Sequence, residues 1–206
     1  MAKVMIDLTM SLDGFIAGPG DDDAHPLGKR GGMHLFDWYT SGTKPMHNNR
    51  LFQPEGVNRK IVDRMYAELG AAIFGRRTYE ITHGWGGTFP VNNAALFILT
   101  HTPPPPAQVP KGKSKITFIT DGIEHAVAAA KVAAGDKTVA LGGASAGQQA
   151  LQAGLVEEIF VHIAPYLLGD GVRLFGPIEG QAIVLEKLEV VDGPLATHLR
   201  YRVRRN

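Results

Sequence analysis

Gly75-Arg76-Arg77-Thr78-Tyr79-Glu80 follows directly on the apolar run Ala71-Ala72-Ile73-Phe74. An apolar run that stops at a glycine and two arginines reads as a strand ending in a turn that opens a helix. Backbone N–H groups at such a turn can hold an anion. Arginine meets phosphate oxygens through two parallel N–H bonds, so Gly75, Arg76, Arg77 and Thr78 read as a phosphate-binding turn. The competing reading is an exposed basic turn, because a six-residue match alone is only a hypothesis. A second stretch, Val139-Ala140-Leu141-Gly142-Gly143-Ala144-Ser145-Ala146-Gly147, reads as a strand, a diglycine and a helix of small residues. Diglycine lets a ligand or a second backbone approach closely, and the first N–H groups of the helix can hold a pyrophosphate. It is neither the G-x-G-x-x-G fingerprint nor a P-loop, which carries a lysine, and tight strand–helix packing is its competing reading. Thr100 and His101 end a third strand. In an open α/β sheet the carboxyl ends of parallel strands share one edge, where ligands bind. These turns lack an acid but carry Arg76, Arg77 and His101. That balance favours a 2′-phosphate over a bare ribose, and so NADPH over NADH.

The elements that must position these turns follow from periodicity. Lys3 to Thr9 reads as a strand, broken by the turn-rich Ser11-Leu12-Asp13-Gly14. Residues 18–56 are rich in Gly, Pro, Asp, His and Asn. They read as a long irregular insertion with one helical turn around Leu35 to Tyr39, and loops of that length are usually functional. Val57 to Leu69 reads as a helix, with Ile61, Met65 and Leu69 as its apolar stripe and Gly70 as its stop. Leu96 to Thr100, Ile116 to Thr120 and Thr138 to Leu141 read as strands. Asp121 and Glu124 resemble a capping box ahead of the helix Ile123 to Ala134, which Gly135 closes. Pro103 to Pro106 reads as a stiff extended connector. Glu157 to Ala164, Ile183 to Val191 and Ala196 to Arg204 read as strands without long helices between them. In the last, Thr197, Leu199, Tyr201 and Val203 form the expected buried face, and His198, Arg200, Arg202 and Arg204 the wet one. The expected fold is therefore α/β, one mixed sheet with a parallel front half, antiparallel C-terminal strands and helices on both faces.

The 206 residues fit a single domain, 1–206, and 44% hydrophobic content supports a sizeable core. The apolar runs fall far short of the roughly 20 residues a bilayer requires, and the N-terminus lacks a signal-peptide core, so a cytoplasmic protein without a membrane partner is expected. The absence of cysteine excludes disulfides, thiolate metal sites and cysteine nucleophiles. A net charge of +1 gives no global electrostatic case for nucleic acid.

Four segments, in order, resemble a known family: Ser11-Leu12-Asp13-Gly14-Phe15-Ile16-Ala17, Gly75 to Glu80, Leu141-Gly142-Gly143, and Leu155 through Pro165 on to Leu168-Gly169-Asp170-Gly171 and Leu174-Phe175. The chain is similar to the dihydrofolate reductase-like superfamily. Within it, the chain resembles the riboflavin-biosynthesis reductase domain found at the C-terminus of a bifunctional bacterial deaminase–reductase, and that domain's stand-alone relatives. The resemblance implies a hydride transfer from NADPH to a small heterocycle, a ribosylaminopyrimidine or a pterin-like compound. It implies that Arg76, Arg77 and Thr78 hold adenosine-side phosphates, that Thr100 and His101 lie near the 2′-phosphate, and that Gly142 to Gly147 cradle the pyrophosphate. Thr9, Ile16 and Ala17 would line the nicotinamide pocket, and a homodimer through the back half of the sheet is expected. No deaminase half is expected within this sequence, because without cysteine its usual zinc site cannot be built.

For the acid that binds the pterin ring in true dihydrofolate reductases, Asp63 is the positional candidate and Asp37, beside Trp38, the second. Each also reads as an ordinary acid. His162, mid-strand in an apolar run, reads as a satisfied core histidine. Tyr166 ends the same strand within reach of a pocket, and residues 18–56 with Phe36, Trp38 and Tyr39 read as a substrate wall or lid. Two other classes remain at this level. One is a non-catalytic NADP(H)-binding or sensor module. The other is a metal enzyme using Asp21, Asp22, Asp23 and His25, for which a solvated acidic loop is the competing reading. No metal is assigned.

Overall fold

The computed structural model describes residues 2–47 and 49–204. Its strands are β1 (Val4–Ser11), β2 (Phe15–Ala17), β3 (Leu69–Gly75), β4 (Ala95–Leu99), β5 (Ile116–Ile119), β6 (Thr138–Gly142), β7 (Glu158–Ala164), β8 (Val172–Arg173), β9 (Leu185–Gly193) and β10 (Ala196–Val203). The helices are α1 (Gly56–Glu68), α2 (Arg76–Ile81), α3 (Ile123–Ala134) and α4 (Ala144–Gln152). Eight strands form one sheet in the order β5-β4-β3-β6-β1-β7-β10-β9, and β2 pairs with β8 in a small second sheet. Pairing is parallel from β5 through β1 and antiparallel between β10 and β9. This is the mixed sheet that the order of runs implies. The chain separates into two compact units, Met1–Ile6 with Glu68–Glu158 and Asp7–Ala67 with Ile159–Asn206.

The first unit is built on near-continuous apolar strands, the pattern of parallel strands covered on both faces. Ala71, Ala72, Ile73, Leu96, Ile98, Val139 and Leu141 are fully buried. The alanines of α3 bury Ala126 and Ala130 completely, and those of α4 bury Ala146 and Ala150. Gly70 lies inside β3 rather than stopping the preceding helix. A Cβ there would stand 2.8 Å from the Ala134 backbone, so the glycine is a point of close approach between β3 and the end of α3. The expected capping box is also absent, because the N-cap of α3 is Gly122 without a side-chain bond. Gly135, in a left-handed conformation, closes that helix as expected.

In the second unit the insertion packs as core. A 3-10 helix spans Gly32–Tyr39 and buries Leu35 and Trp38 completely. Met46 and Phe52 are also buried. The buried stripe of α1 is Asn58, Ile61, Val62 and Tyr66. Met65 is only half-buried, and Leu69 belongs to β3.

On β10, Arg202 and Arg204 are exposed as expected, but His198 on their face is not. His198 and Ala196 are buried, whereas Leu199, Tyr201 and Val203 are only half-covered. Their neighbours Leu185, Leu188 and Val190 on β9 are exposed.

Two motifs at opposite ends of the chain meet here. The Asp13 carboxylate accepts from Ser11 Oγ at 2.5 Å, from Leu168 N at 3.1 Å and from Gly169 N at 2.7 Å. Those bonds, the Ser11 hydroxyl foremost, hold Asp13 below the usual carboxylate range. Gly171 completes the contact. With φ +132° and the site of a Cβ only 2.1 Å from the Ala17 carbonyl oxygen, no other residue fits there. Gly171→Ala is expected to destabilise the protein by about 1–3 kcal/mol. A lower urea midpoint checks this, and an unchanged midpoint would mean that the β2–β8 turn does not constrain the fold.

Candidate functional site

In the first unit, parallel register places the two glycine turns side by side. Phe74 pairs with Gly142 at the carboxyl ends of adjacent strands. A Cβ on Gly143 would stand 3.1 Å from Thr78 Oγ1, so Thr78 and Gly143 are direct neighbours. The two glycines serve different purposes. Gly142 makes room for the Phe74 ring, whose edge would lie 1.9 Å from a Cβ, which is the packing reading. Gly143, at φ +89°, makes the turn into α4. That helix opens on Ala144, Ser145, Ala146 and Gly147, and its N-cap, Gly143, makes no side-chain cap bond.

The cations stand close by. Arg76 and Arg77 are exposed on α2. Arg76 Nε donates to Glu80 Oε1 at 2.6 Å on the same helix, so an incoming phosphate competes with an exposed ion pair. Such pairs are worth about 0–1 kcal/mol and yield easily. Thr100 is buried at the end of β4, where its hydroxyl closes the turn to Thr102. His101 is exposed in that turn.

A cavity of about 550 Å³ opens beside Arg76 and Thr100, lined also by Tyr79, Phe118, Pro103 and Pro104. The proline run, read from sequence as a connector, is thus a cavity wall. Its spacing gave no sign of this, because the strands that bring it beside Tyr79 are distant in sequence.

In the second unit, Thr9 is buried and its Oγ1 accepts from Trp38 Nε1 at 3.0 Å. Ile16 and Ala17 are half-buried on β2. Trp38 and Tyr39 are core residues rather than an open aromatic wall. Asp37 Oδ2 accepts from the Tyr166 hydroxyl at 2.8 Å and lies 3.0 Å from His34 Nδ1, whose ring stacks on Tyr166. The bond to Asp37, with burial and its charge, raises Tyr166 above the ordinary phenol value, so Tyr166 keeps its proton. Asp63 is exposed on α1 and lies 2.9 Å from His47 Nε2. Asp37 and Asp63 therefore sit in separate polar pairs. Asp22 and His25 form a local turn, 2.9 Å apart.

The sequence reading missed a buried polar line. His162 Nε2 lies 2.9 Å from Asp7 Oδ1, and His162 Nδ1 lies 2.7 Å from His198 Nδ1. His198 Nε2 lies 3.1 Å from Asn58 Oδ1. His162, His198 and Asn58 are fully buried, and Trp38 packs against both imidazoles. Burial, then repulsion from His162 and Arg64, brings His198 down to about 3. One signal was available: Asp7 interrupts the apolar run Val4-Met5-Ile6-Asp7-Leu8, and a charge inside a strand needs a partner.

The mixed sheet, parallel in front with antiparallel C-terminal strands, is a dihydrofolate reductase-like fold. The RibD C-terminal domain model matches residues 2–196, and the chain belongs to that family. It is 25% identical over 173 residues, 84% of its own length and 82% of the relative's, to the uncharacterised protein YwjB of Bacillus subtilis. Among solved structures it resembles a protein from Shewanella sp. PV-4 provisionally assigned to riboflavin biosynthesis, with TM-score 0.68, 22% identity and full coverage of both chains. The Enterococcus faecalis dihydrofolate reductase complexed with NADP(H) matches with TM-score 0.57 and 14% identity, over 98% of this chain and 97% of that one. The Thermotoga maritima diaminohydroxyphosphoribosylaminopyrimidine deaminase/5-amino-6-(5-phosphoribosylamino)uracil reductase matches with TM-score 0.58 and 11% identity, over 98% of this chain and 57% of that one. These likenesses give the fold, a pyrimidine reductase-like one. No helix among the described residues is long and apolar enough to cross a membrane.

The buried line sets a pH dependence. His198 binds a proton less readily when folded than its ordinary value of 6.5, so the unfolded chain takes up the proton first. The contribution is complete above 6.5 and is lost as pH falls from there towards about 3. The loss approaches about 1.4 kcal/mol per pH unit. Urea unfolding of the wild type and His198→Gln across that window should show the wild type alone carrying this slope. Parallel curves would remove His198 as its source.

Proposed function

We propose that this protein is an NADPH-dependent reductase that transfers a hydride to a small heterocyclic substrate of the ribosylaminopyrimidine or pterin-like class. The observation that carries this reading is the adjacency of Thr78 and Gly143, which joins the basic turn and the diglycine turn into one anion-binding corner. The residues suit a dinucleotide phosphate: an uncapped helix start, a hydroxyl, and two arginines exposed on α2. Arg76, Arg77 and Thr78 would hold the adenosine-side phosphates, Gly142 to Gly147 the pyrophosphate, and Thr100 and His101 the neighbourhood of the 2′-phosphate. The cavity walled by Tyr79, Phe118 and prolines offers apolar faces to an adenine. In the second unit, Thr9, Ile16 and Ala17 would serve the nicotinamide. When bound, the cofactor supplies two electrons as hydride, and the protein orients it and excludes water.

Asp37 already accepts from Tyr166 and lies against His34, and Asp63 lies against His47. A carboxylate in that state orients a substrate N–H better than it gives up a proton. Asp37 is therefore assigned substrate orientation, and Asp63, exposed on α1, no contact. The double variant Arg76→Ala, Arg77→Ala should weaken NADPH at least about tenfold and weaken NADH as well, since both carry the adenosine-side phosphate and each charge-assisted bond contributes about 1.5–3 kcal/mol. Isothermal titration with both dinucleotides measures this. An unaltered NADPH affinity would refute the phosphate assignment. Tight NADPH binding without turnover of any pyrimidine, pterin or quinone would favour a binding module.

A homodimer accompanies this reading. Leu185, Leu188 and Val190 leave an apolar strip exposed on β9, continued by the half-covered Leu199 opposite Val190. Sedimentation should give a dimer for the wild type and a monomer for Val190→Lys. A wild-type monomer at micromolar concentration would end that part of the proposal.

A further inference from the structure

The hydrogen-bond donors along the buried line can be assigned one at a time. Asn58 Nδ2 donates to the Pro194 carbonyl at 2.8 Å and to the Trp38 carbonyl at 3.4 Å. Carbonyls only accept, so the amide cannot be turned round. Its Oδ1 therefore faces His198 Nε2, and that nitrogen must carry a hydrogen. His198, fully buried and uncharged at neutral pH, is left with a lone pair on Nδ1. His162 Nδ1, 2.7 Å away, must then be the donor. One contact remains, His162 Nε2 to Asp7 Oδ1 at 2.9 Å. With Nδ1 already protonated, a neutral His162 would turn a bare Nε2 toward a bare carboxylate oxygen. A proton must lie between them, as carboxyl with imidazole or as carboxylate with imidazolium. The orientation of one amide thus dictates, three residues away, that Asp7 and His162 share a proton.

Asp7 is also the end of the line that reaches outward. Its side chain is 9% exposed while that of His162 is 0%. Its second oxygen has no hydrogen-bond partner among the described residues. It stands two residues before Thr9 on β1, so the two share a face of the strand. Trp38 ties them together, donating to Thr9 and packing on His162. Charged and titratable groups surround the pair from each packed element. His198 faces it from β10, and Arg64, bonded to Glu189, lies over Phe160 beside His162. Arg200 also stands over Phe160. Tyr39, raised well above the ordinary phenol value by burial and by the charge of Asp7, stays protonated.

We propose that Asp7 is the general acid of the reduction, delivering to the substrate the proton it shares with His162, and that His162, locked by His198 and Asn58, positions and resupplies it. This rests on the reductase reading above. The reduced nicotinamide adds hydride to the carbon of a substrate C=N or C=O bond. The π pair moves to the heteroatom, which takes the proton from Asp7. The dinucleotide leaves oxidised, and the Asp7–His162 pair, one proton poorer, is refilled from water.

Two measurements test this. ¹⁵N NMR of histidine-labelled wild type should show, at neutral pH, His198 neutral with its hydrogen on Nε2, and His162 with both nitrogens protonated or with Nε2 sharing a hydrogen with Asp7. A neutral His162 with its hydrogen on Nε2 and a bare Nδ1 overturns the pair, whatever the enzyme reduces. The second is NADPH oxidation with 5-amino-6-(5-phosphoribosylamino)uracil and with dihydrofolate as probes. Asp7→Asn should bind NADPH as the wild type does and lose about 100-fold in kcat at neutral pH. The wild-type rate should fall with rising pH, as general-acid catalysis does, whereas the variant rate should be flat there. A variant with wild-type kcat and pH profile overturns proton delivery. If the wild type binds NADPH but reduces neither probe, the reductase reading fails and takes delivery with it. The shared proton is then decided by the NMR result alone.

Discussion

The second unit depends on a requirement that one hydrogen-bond line imposes. From the Pro194 carbonyl through Asn58, His198 and His162 to Asp7, every buried polar group meets a partner, and each partner comes from a different element. An unmet group in that position costs about 1–3 kcal/mol. Because side chains alternate along a strand, moving β10 by one residue would send His198 to the opposite face and break the line at two places. Hydrophobic burial alone would tolerate several registers here. The polar line accepts one, and it fixes the direction of every proton along it.

The first unit is held differently. Its strands are apolar on both faces and its register serves geometry rather than polar satisfaction. The Phe74–Gly142 pairing brings two helix-opening turns together. The Phe74 ring occupies the space that a side chain on Gly142 would need. Gly142 thus serves packing, and Gly143, at φ +89°, makes the turn into α4. From sequence the diglycine could be read either way, and at Gly142 the packing reading holds.

What was legible followed from period and punctuation. The parallel strands, the alanine helix α3 and the glycine turns all announce themselves through apolar runs that end at glycine, and the structure places them within a residue or two. The capping box before α3 did not form, because the left-handed Gly122 took the N-cap. Residues 18–56 looked irregular because their order comes from single contacts between distant residues. Trp38 on Thr9 and Tyr39 against Phe52 leave no period to read. On β10 the alternation was right, and Arg202 and Arg204 are exposed as read, but His198 on their face is buried. Hydrophobicity placed Leu199 and Tyr201 inside, but it cannot register that His198 becomes buriable once Asn58 and His162 stand ready to pair with it.

The burial of His198 argues for function over stability. A strand selected only to stabilise the sheet would bury Leu199, Tyr201 and Val203 and leave the histidine in water. Here three apolar side chains on β10 and their neighbours on β9 give up coverage while two imidazoles and an amide are taken inside. Buried polar and ionic groups contribute little net stability compared with apolar residues of the same size. An apolar triad at positions 58, 162 and 198 would have been the simpler solution. What the polar set supplies and an apolar one cannot is a proton at a defined atom, on the same strand face as Thr9. Its cost is tolerable because β7 and β10 are both committed to it, so that no member of the line is left unpaired. The apolar strip exposed on β9 and half-covered on β10 is the complement of that choice.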